Sequence, residues 1–533
     1  IQLRKPLLLM LGVVGVVLLV ACANLAGLSL ARGAGRQHEL AIRAALGAGR
    51  WRLIRQSLAE SLILGAMSCF VGVVFAVWAR TVIASLMARA GDTLHYDLSL
   101  DFTVLCTGMV AALATATFSG LLPALRAGRV DPNDGLKPRG VLGAPRLRIG
   151  KVLVAGQICL SLLLMAGAGL YLRTVINLRN LDAGFNTSNL LVFQLNPGSA
   201  GFNASQLNAF YDQVQSSLMT IPGVQNAALV RNPLLDNQDW AGGFSFPKHA
   251  SPPSGDLQTH RLVVGESYFA TLGIPILQGR ALSSTDKEGA VPALVVNESF
   301  ARKYLPNENP IGQTVSFLKT DWQITGVCRD TKYANLKDPA PPTAYFSFRQ
   351  FPLKYRTSFI VRSAVPPVTL SSSVRQAVAV INPAVPVVRI ITQDQLRDGN
   401  ISQERLFAIL CGSLAGFAVL LSCVGLYGLM AYNVTRRMGE IGVRMALGAL
   451  PWDVARSTLK EALALTAIGI GLGLPLVFAG SRLIKSQLYG IHPTDPVTLI
   501  SVTSLLLFVA LAAAWFPARR SALISPVDAL RSE

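Results

Sequence analysis

Two pairs of charged residues, each a glutamate followed by an arginine, have a spacing that could support an ion pair. Glu39 precedes Arg43 by four residues, and Glu440 precedes Arg444 by the same distance. Residues four apart lie on one face of an α-helix, where an ion pair stabilises the helix by ~0.2–0.5 kcal/mol. Apolar residues recur at the same period and a glycine follows each segment. Each segment is therefore predicted to be a short amphipathic helix that ends at this glycine.

The other reactive side chains do not form a pattern typical of catalysis. The sequence contains no G-x-x-x-x-G-K-[ST] phosphate loop, no H-E-x-x-H zinc motif and no G-x-S-x-G nucleophile motif. Its five histidines lack metal-ligand spacing, and its seven cysteines include no Cys-x-x-Cys pair. The sequence therefore predicts neither an enzyme nor a resident cofactor or metal.

Long apolar runs dominate the composition, which is 51% hydrophobic and only 14% charged. A helix needs about 20 mostly apolar residues to cross a ~30 Å hydrocarbon core. Seven runs meet this requirement, at about 7–30, 61–79, 102–122, 152–172, 406–432, 462–480 and 498–516. The sequence is therefore that of a membrane protein with one large water-facing region between the fourth and fifth spans.

The distribution of positive charge predicts how the spans are oriented. Lys and Arg concentrate in segments 32–60, 123–151, 433–461 and 517–533. Cytoplasmic loops close to membrane spans accumulate these residues, and the alternation of the spans places all four segments on one side. The formal net charge of +19 thus indicates topology rather than nucleic-acid binding. The water-facing region is predicted to be extracytoplasmic.

The chain contains an internal duplication. The block Glu39–Ala48 recurs 401 residues later as Glu440–Ala449, and the segment Pro123–Leu136 recurs in part as Pro517–Leu530. Such self-similarity indicates two halves of three spans each in the same orientation, which is a parallel repeat. By symmetry, we expect a further span and outer domain to precede Ile1.

The predicted organisation has four parts. Residues 1–137 form the three-span unit of the first half, and 138–174 form the linker and first span of the second half. Residues 175–403 form the extracytoplasmic domain, and 404–533 form the three-span unit of the second half. Short β-type runs alternate with helical patterns in the third part, which predicts an α/β domain. The strand candidates are Leu190–Leu195, Ala227–Val230, Leu262–Val264, Ala293–Val296, Trp322–Val327, Phe359–Val361 and Val387–Ile391. The fold class is thus an α-helical transmembrane bundle with about seven visible spans and one large extracytoplasmic α/β domain.

The repeated Glu-x-x-x-Arg-x-Ala-Leu-Gly-Ala block resembles the permeases of the FtsX-like and MacB-like ABC transporter superfamily. The outer region is similar to the MacB-like periplasmic core at Tyr268-Phe269, Gly279-Arg280 and Pro310-Ile311-Gly312. Duplication without a fused ATPase resembles the duplicated orphan permeases of the acidobacterial type.

The resemblance implies a multi-pass permease subunit of the bacterial inner membrane. In such a subunit, ATP hydrolysis by a separate ATP-binding subunit moves the outer domain for mechanotransmission, export or efflux. Each cytoplasmic loop is then expected to hold a coupling helix that docks on this ATPase. The docking candidates are Glu39, Arg43, Leu46 and Gly47 in the first half, and Glu440, Arg444, Leu447 and Gly448 in the second. Membrane lipid and either an envelope protein or an exported substrate are the other expected partners, and nucleic acid is not one.

Two alternatives remain open from the sequence. The amphipathic helices could instead lie against lipid headgroups without a protein partner. The chain could also be a non-transport signalling or scaffold protein that regulates an envelope partner. In the outer domain, Tyr268, Phe269 and Trp322 could face a ligand, although aromatic residues at such positions are usually part of the core.

Overall fold

The computed structural model describes residues 4–35, 50–89, 144–247, 257–351, 356–485 and 488–523, with scattered residues between 102 and 117. Its chain divides into two compact units. The membrane unit comprises Ile1–Leu86, His95–Ile176 and Glu404–Glu533, and the outer unit comprises Met87–Leu94 and Asn177–Gln403.

The described residues form twelve α-helices and eleven β-strands. The helices are α1 (Arg4–Gly35), α2 (Arg50–Arg89), α3 (Ala144–Arg179), α4 (Ala204–Met219), α5 (Tyr268–Leu272), α6 (Glu298–Tyr304), α7 (Ser371–Ile381), α8 (Gln393–Asn400), α9 (Ser402–Arg436), α10 (Met438–Ala446), α11 (Pro451–Ile484) and α12 (Pro496–Ala522). The strands are β1 (Leu190–Leu195), β2 (Val224–Val230), β3 (Ala241–Gly243), β4 (Gln258–Val264), β5 (Ile276–Gly279), β6 (Ala293–Asn297), β7 (Thr314–Phe317), β8 (Thr320–Cys328), β9 (Thr343–Ser347), β10 (Thr357–Ser363) and β11 (Val387–Thr392).

Six of the described helices are long and apolar enough to cross a membrane, namely α1, α2, α3, α9, α11 and α12. Together they contain six of the seven predicted spans. The remaining predicted span, 102–122, lies largely outside the described residues.

Small residues let the helices of the second half approach closely. A Cβ atom added to Gly473 of α11 would lie 2.9 Å from Leu162 and 3.2 Å from the carbonyl oxygen of Cys159, both on α3. Gly469, one turn earlier on α11, meets Ile158 in the same way. Lipid is as apolar as a leucine side chain, so close contact between small residues, rather than escape from water, holds such helices together.

The outer unit is built on one eleven-stranded sheet. Nine strands follow the order β11-β1-β10-β2-β4-β9-β6-β8-β5, while β3 pairs with β4 and β7 pairs with β8. The β4–β9 and β6–β8 pairs are parallel and the other pairs are antiparallel. The α/β character of this unit confirms the predicted fold class.

Aromatic residues fill the core of the outer unit. Phe193 of β1 and Phe359 of β10 are directly opposite each other, and their rings stack with centroids 5.6 Å apart. Tyr211 of α4 packs on Phe359, and its hydroxyl group pairs with that of Thr357 at 2.8 Å. All three aromatic residues are buried, so this cluster fixes α4 on the sheet.

Candidate docking helix and its attachment to the membrane unit

Helix α10 is the described copy of the repeated block, and it connects α9 to α11. Ile441 and Gly442 lie on its buried side. Val443 of α10 is exposed, and so are two large apolar residues that follow the helix: Leu447, which is 83% exposed, and Trp452, which is 59% exposed. The predicted amphipathic helix is thus present in the second half, but it leaves large apolar side chains uncovered within its own chain.

The predicted ion pair forms on this helix. An amino group of Arg444 donates to a carboxylate oxygen of Glu440, four residues earlier, and both side chains are more than half exposed. Exposed pairs at this spacing contribute only ~0.3–0.5 kcal/mol to stability. The pair therefore helps the helix to form and also places two charged groups beside Leu447.

Gly448 ends the helix, as its position predicts. Its φ is +98°, in the left-handed region that favours glycine. Its N–H group donates to the carbonyl of Met445, and the N–H of Ala449 donates to that of Arg444. The chain can then turn sharply and enter α11 at Pro451, so the glycine sets the direction of α10 relative to α11.

Glu461 of α11 links this segment to the spans. Its carboxylate lies 2.5 Å from the Lys151 amino group of α3 and 3.7 Å from the guanidinium of Arg437, the residue just before α10. The Asn433 amide of α9 donates to it at 3.4 Å. Only 20% of the Glu461 side chain is exposed, so the charges interact more strongly than they would in bulk water. One carboxylate thus connects α3, α9 and α11 with the start of α10.

The sequence repeats Glu461 as Glu60, 401 residues earlier, but this recurrence by itself assigns it no role. A further signal was present, because Arg437 also has a counterpart at Arg36, and Glu461 has one at Glu60. The pairing of Arg437 with Glu461 could have been suspected from this joint recurrence.

The first copy of the predicted docking site lies outside the residues that the structure describes. Glu39, Arg43, Leu46 and Gly47 all lie in 36–49, outside the described residues. The structure therefore places the second set of predicted residues, Glu440, Arg444, Leu447 and Gly448, on one short segment, and leaves the first set a prediction.

A second ionic contact joins the C-terminal part of α3 to the start of α12. Arg173 of α3 pairs with Asp495, whose carboxylate also accepts hydrogen bonds from the backbone N–H and hydroxyl groups of Thr498. Burial by itself would raise the pKa of Asp495, but the hydrogen bonds from Thr498 and the positive charge of Arg173 lower it. Asp495 therefore stays ionised, caps α12 and attaches it to α3.

Three aromatic residues of the outer unit were candidates for facing a ligand, but they do not form an exposed site. Tyr268, Phe269 and Trp322 are all buried. They belong to the core, so the core interpretation is confirmed and the interpretation that they face a ligand is wrong. Among the described residues, no group of three His, Cys, Asp or Glu side chains could hold a metal ion.

Six helices of spanning length and an inserted α/β unit define a multi-pass protein of the inner membrane with an extracytoplasmic domain. The FtsX-like permease C-terminal family matches residues 11–132 and again 412–526, and the MacB-like periplasmic core domain matches 154–380. The chain therefore belongs to the FtsX-like permeases that carry a MacB-like periplasmic core domain. The two FtsX-like matches confirm the duplication, while the acidobacterial-type subgroup stays a prediction.

The chain is also similar to several macrolide export ATP-binding/permease proteins named MacB. It is 26% identical to the one from Mannheimia succiniciproducens over 51% of this chain and 43% of that protein. It is 25% identical to one from Paracoccus denitrificans over 73% of this chain and 59% of that protein. The matched part of this chain thus spans about half the length of these relatives. The periplasmic region of MacB from Actinobacillus actinomycetemcomitans aligns with 42% of this chain and 94% of its own, at 18% identity and a TM-score of 0.29.

Proposed function

We propose that this permease couples ATP hydrolysis by a separate ATP-binding subunit to movement of its extracytoplasmic domain. The observation that carries the proposal is the exposure of Val443 and Leu447 in and just after α10, and of Trp452 at the start of α11, together with the exposed Glu440–Arg444 ion pair of α10. An uncovered apolar patch with charged neighbours is typical of a protein-binding surface. The relatives named above are ATP-binding/permease proteins, which favours an ATPase as the protein that binds there.

The attachment at Glu461 supports the mechanical part of this proposal. A displacement of α10 acts on Arg437 and, through Glu461, on α3 and α11, because these residues share one ionic contact. Closely packed protein interiors have low compressibility and transmit strain. Mechanotransmission by this route moves the spans without requiring a continuous pore for the substrate.

Co-purification of the full chain with candidate ATP-binding subunits tests the docking step. Leu447→Glu should weaken retention of the ATPase about tenfold, since a charged group in the centre of a protein interface removes a large part of the binding energy. Arg43→Glu combined with Arg444→Glu should have a similar effect, because both docking copies are then altered. Val380→Glu is the matched control, since Val380 is equally exposed but lies in the outer unit.

The outcomes separate the alternatives. If the ATPase remains bound to both the Leu447→Glu variant and the double arginine variant, the docking assignment is wrong and α10 lies against lipid headgroups instead. If the chain stimulates ATP hydrolysis in liposomes without moving a substrate, non-transport signalling to an envelope partner is supported. Absence of stimulation by any candidate ATPase supports a scaffold.

A further inference from the structure

Arg261 of β4 is a buried charged residue without an anionic partner in its own unit. It is only 6% exposed. None of the ion pairs among the described residues includes it. Buried arginines are normally paired, because an unpaired charge in a protein interior is costly. The guanidinium therefore destabilises the folded outer unit unless an acceptor from elsewhere binds it.

Most of the hydrogen-bonding capacity of this guanidinium is unused. Nη2 donates to the carbonyl oxygen of Gly243 at 2.8 Å, whereas Nε is buried and has no partner among the described residues. Burial lowers the pKa of Arg261, but an arginine side chain stays protonated in proteins. The group thus keeps its positive charge and has N–H donors that could bind an acceptor.

Strand β3 leaves room for the guanidinium. A Cβ atom on Gly242 would lie 2.3 Å from Nη2 and 2.6 Å from Cζ of Arg261, so a larger residue there would push the guanidinium away. The neighbours of this glycine on β3, Ala241 and Gly243, are exposed. The guanidinium therefore lies directly under a short exposed strand, close to the surface of the outer unit.

Aromatic rings flank the same guanidinium. Its Cζ atom is 5.4 Å from the ring centre of Phe317 on β7 and 6.0 Å from that of Trp240. Arg231 stacks on the Trp240 ring at 3.7 Å, and Phe351 meets that ring edge to face at 5.7 Å. Trp240 and Phe351 are only partly buried, so apolar surface remains accessible beside the positive charge.

The carboxylate that precedes Trp240 in the chain binds elsewhere. Asp239 pairs with Nε2 of His260 at 2.9 Å. His260 and Arg261 are consecutive residues of β4, so their side chains point to opposite faces of the sheet. Asp239 is thus held on the other face and does not neutralise Arg261.

We infer that Arg261 anchors a binding site for a small carboxylate that has an aromatic or apolar body. The carboxylate accepts hydrogen bonds from the guanidinium, and the body lies against the partly exposed rings of Trp240 and Phe351. A cationic donor beside apolar surface is the combination that binds and orients such a ligand. The site goes beyond the proposed function, because it lies in the outer unit and needs no ATPase.

Binding of para-fluorophenylacetate to the full chain in detergent tests the inference. Fluorine NMR relaxation detects weak binding, and para-fluorophenylacetamide is a matched probe of nearly the same shape without the charge. The carboxylate should bind about tenfold more tightly than the amide, since hydrogen bonds between charged groups contribute more than neutral ones. Arg261→Met should remove this preference, whereas Arg375→Met, at an exposed arginine of the same unit, should retain it.

Two further variants separate a lost site from a lost fold. Gly242→Ala keeps the charge but displaces the guanidinium, so it should lower the preference about threefold or more. Arg261→Lys keeps the charge without the planar fork, so it should retain only part of the preference. The urea midpoint of the outer unit should not fall in Arg261→Met, because this substitution removes an unpaired buried charge.

The inference is overturned if the unmodified chain binds the carboxylate and the amide equally well. It is also overturned if Arg261→Met keeps the preference, or if Arg375→Met loses it to the same extent. Should Arg261→Met fail to fold, an equal preference in Gly242→Ala and in the unmodified chain overturns the inference instead.

Discussion

The outer unit and the membrane unit are held together in different ways. In the outer unit, large aromatic residues such as Phe193, Phe359 and Tyr211 are removed from contact with water. In the membrane unit, glycines such as Gly473 bring helices close together, while many large apolar side chains remain on the surface. The difference follows from the solvent, because burying an apolar side chain gains much free energy in water and little in lipid. Packing in the membrane unit is therefore decided by shape and by a few polar contacts.

The largest effect is expected in the core of the outer unit. Phe359→Ala should lower the free energy of unfolding of this unit by ~3–5 kcal/mol, since it removes a ring from a cluster that cannot collapse fully. Urea unfolding of the full chain in detergent, followed by proteolysis of the outer unit, measures this change. Val380→Ala, at an exposed position, should have almost no effect. A loss below ~1 kcal/mol for Phe359→Ala would contradict the aqueous side of the comparison.

An intermediate effect is expected where two membrane helices approach closely. Gly473→Leu should destabilise the contact between α11 and α3 by ~1–3 kcal/mol, because its side chain must displace Leu162 and the backbone at Cys159. Thermal denaturation in detergent micelles provides the measurement. Gly471→Leu on the same helix is the matched control, since a Cβ atom on Gly471 meets nothing within 4 Å. Equal effects of the two substitutions would show that shape does not govern this contact.

The smallest effect on stability is expected at the ionic contact between Glu461 and the start of α10. Glu461→Gln weakens the contacts with Lys151 and Arg437. We expect a loss of no more than ~1 kcal/mol, because the Lys151 and Arg437 side chains remain 35% and 50% exposed and the amide of glutamine can still form hydrogen bonds. A spin label on α10 should nevertheless become more mobile, because the segment loses its attachment to α11. Glu440→Gln, which affects only the exposed pair within α10, should leave the attachment unchanged. An unchanged label mobility in Glu461→Gln would remove the mechanical role assigned to this residue.

Much of the fold could be predicted because its signals are local. Every one of the seven strand candidates lies within an observed strand, and the Glu440–Ala449 block forms the expected helix and terminal turn. Four strands were missed, namely β3, β5, β7 and β9. β9 is five residues long and fully buried between β4 and β6. A strand that is buried on both faces has no alternation of apolar and polar residues. Five residues after a proline-rich loop are also too few to show another pattern.

The sequence by itself determined six of the seven predicted spans, the extracytoplasmic position of the outer unit, the duplication and the amphipathic helix α10. Each of these depends on a period or a composition that is carried within one continuous segment of the chain. Only the tertiary structure decided that Glu461 meets Lys151 and Arg437, and that Asn24 meets Gly425. A periodic pattern specifies which face of a helix is packed, but it does not identify the helix on the other side. That choice depends on the fit of side chains far apart in the chain, and it is made when the helices come together.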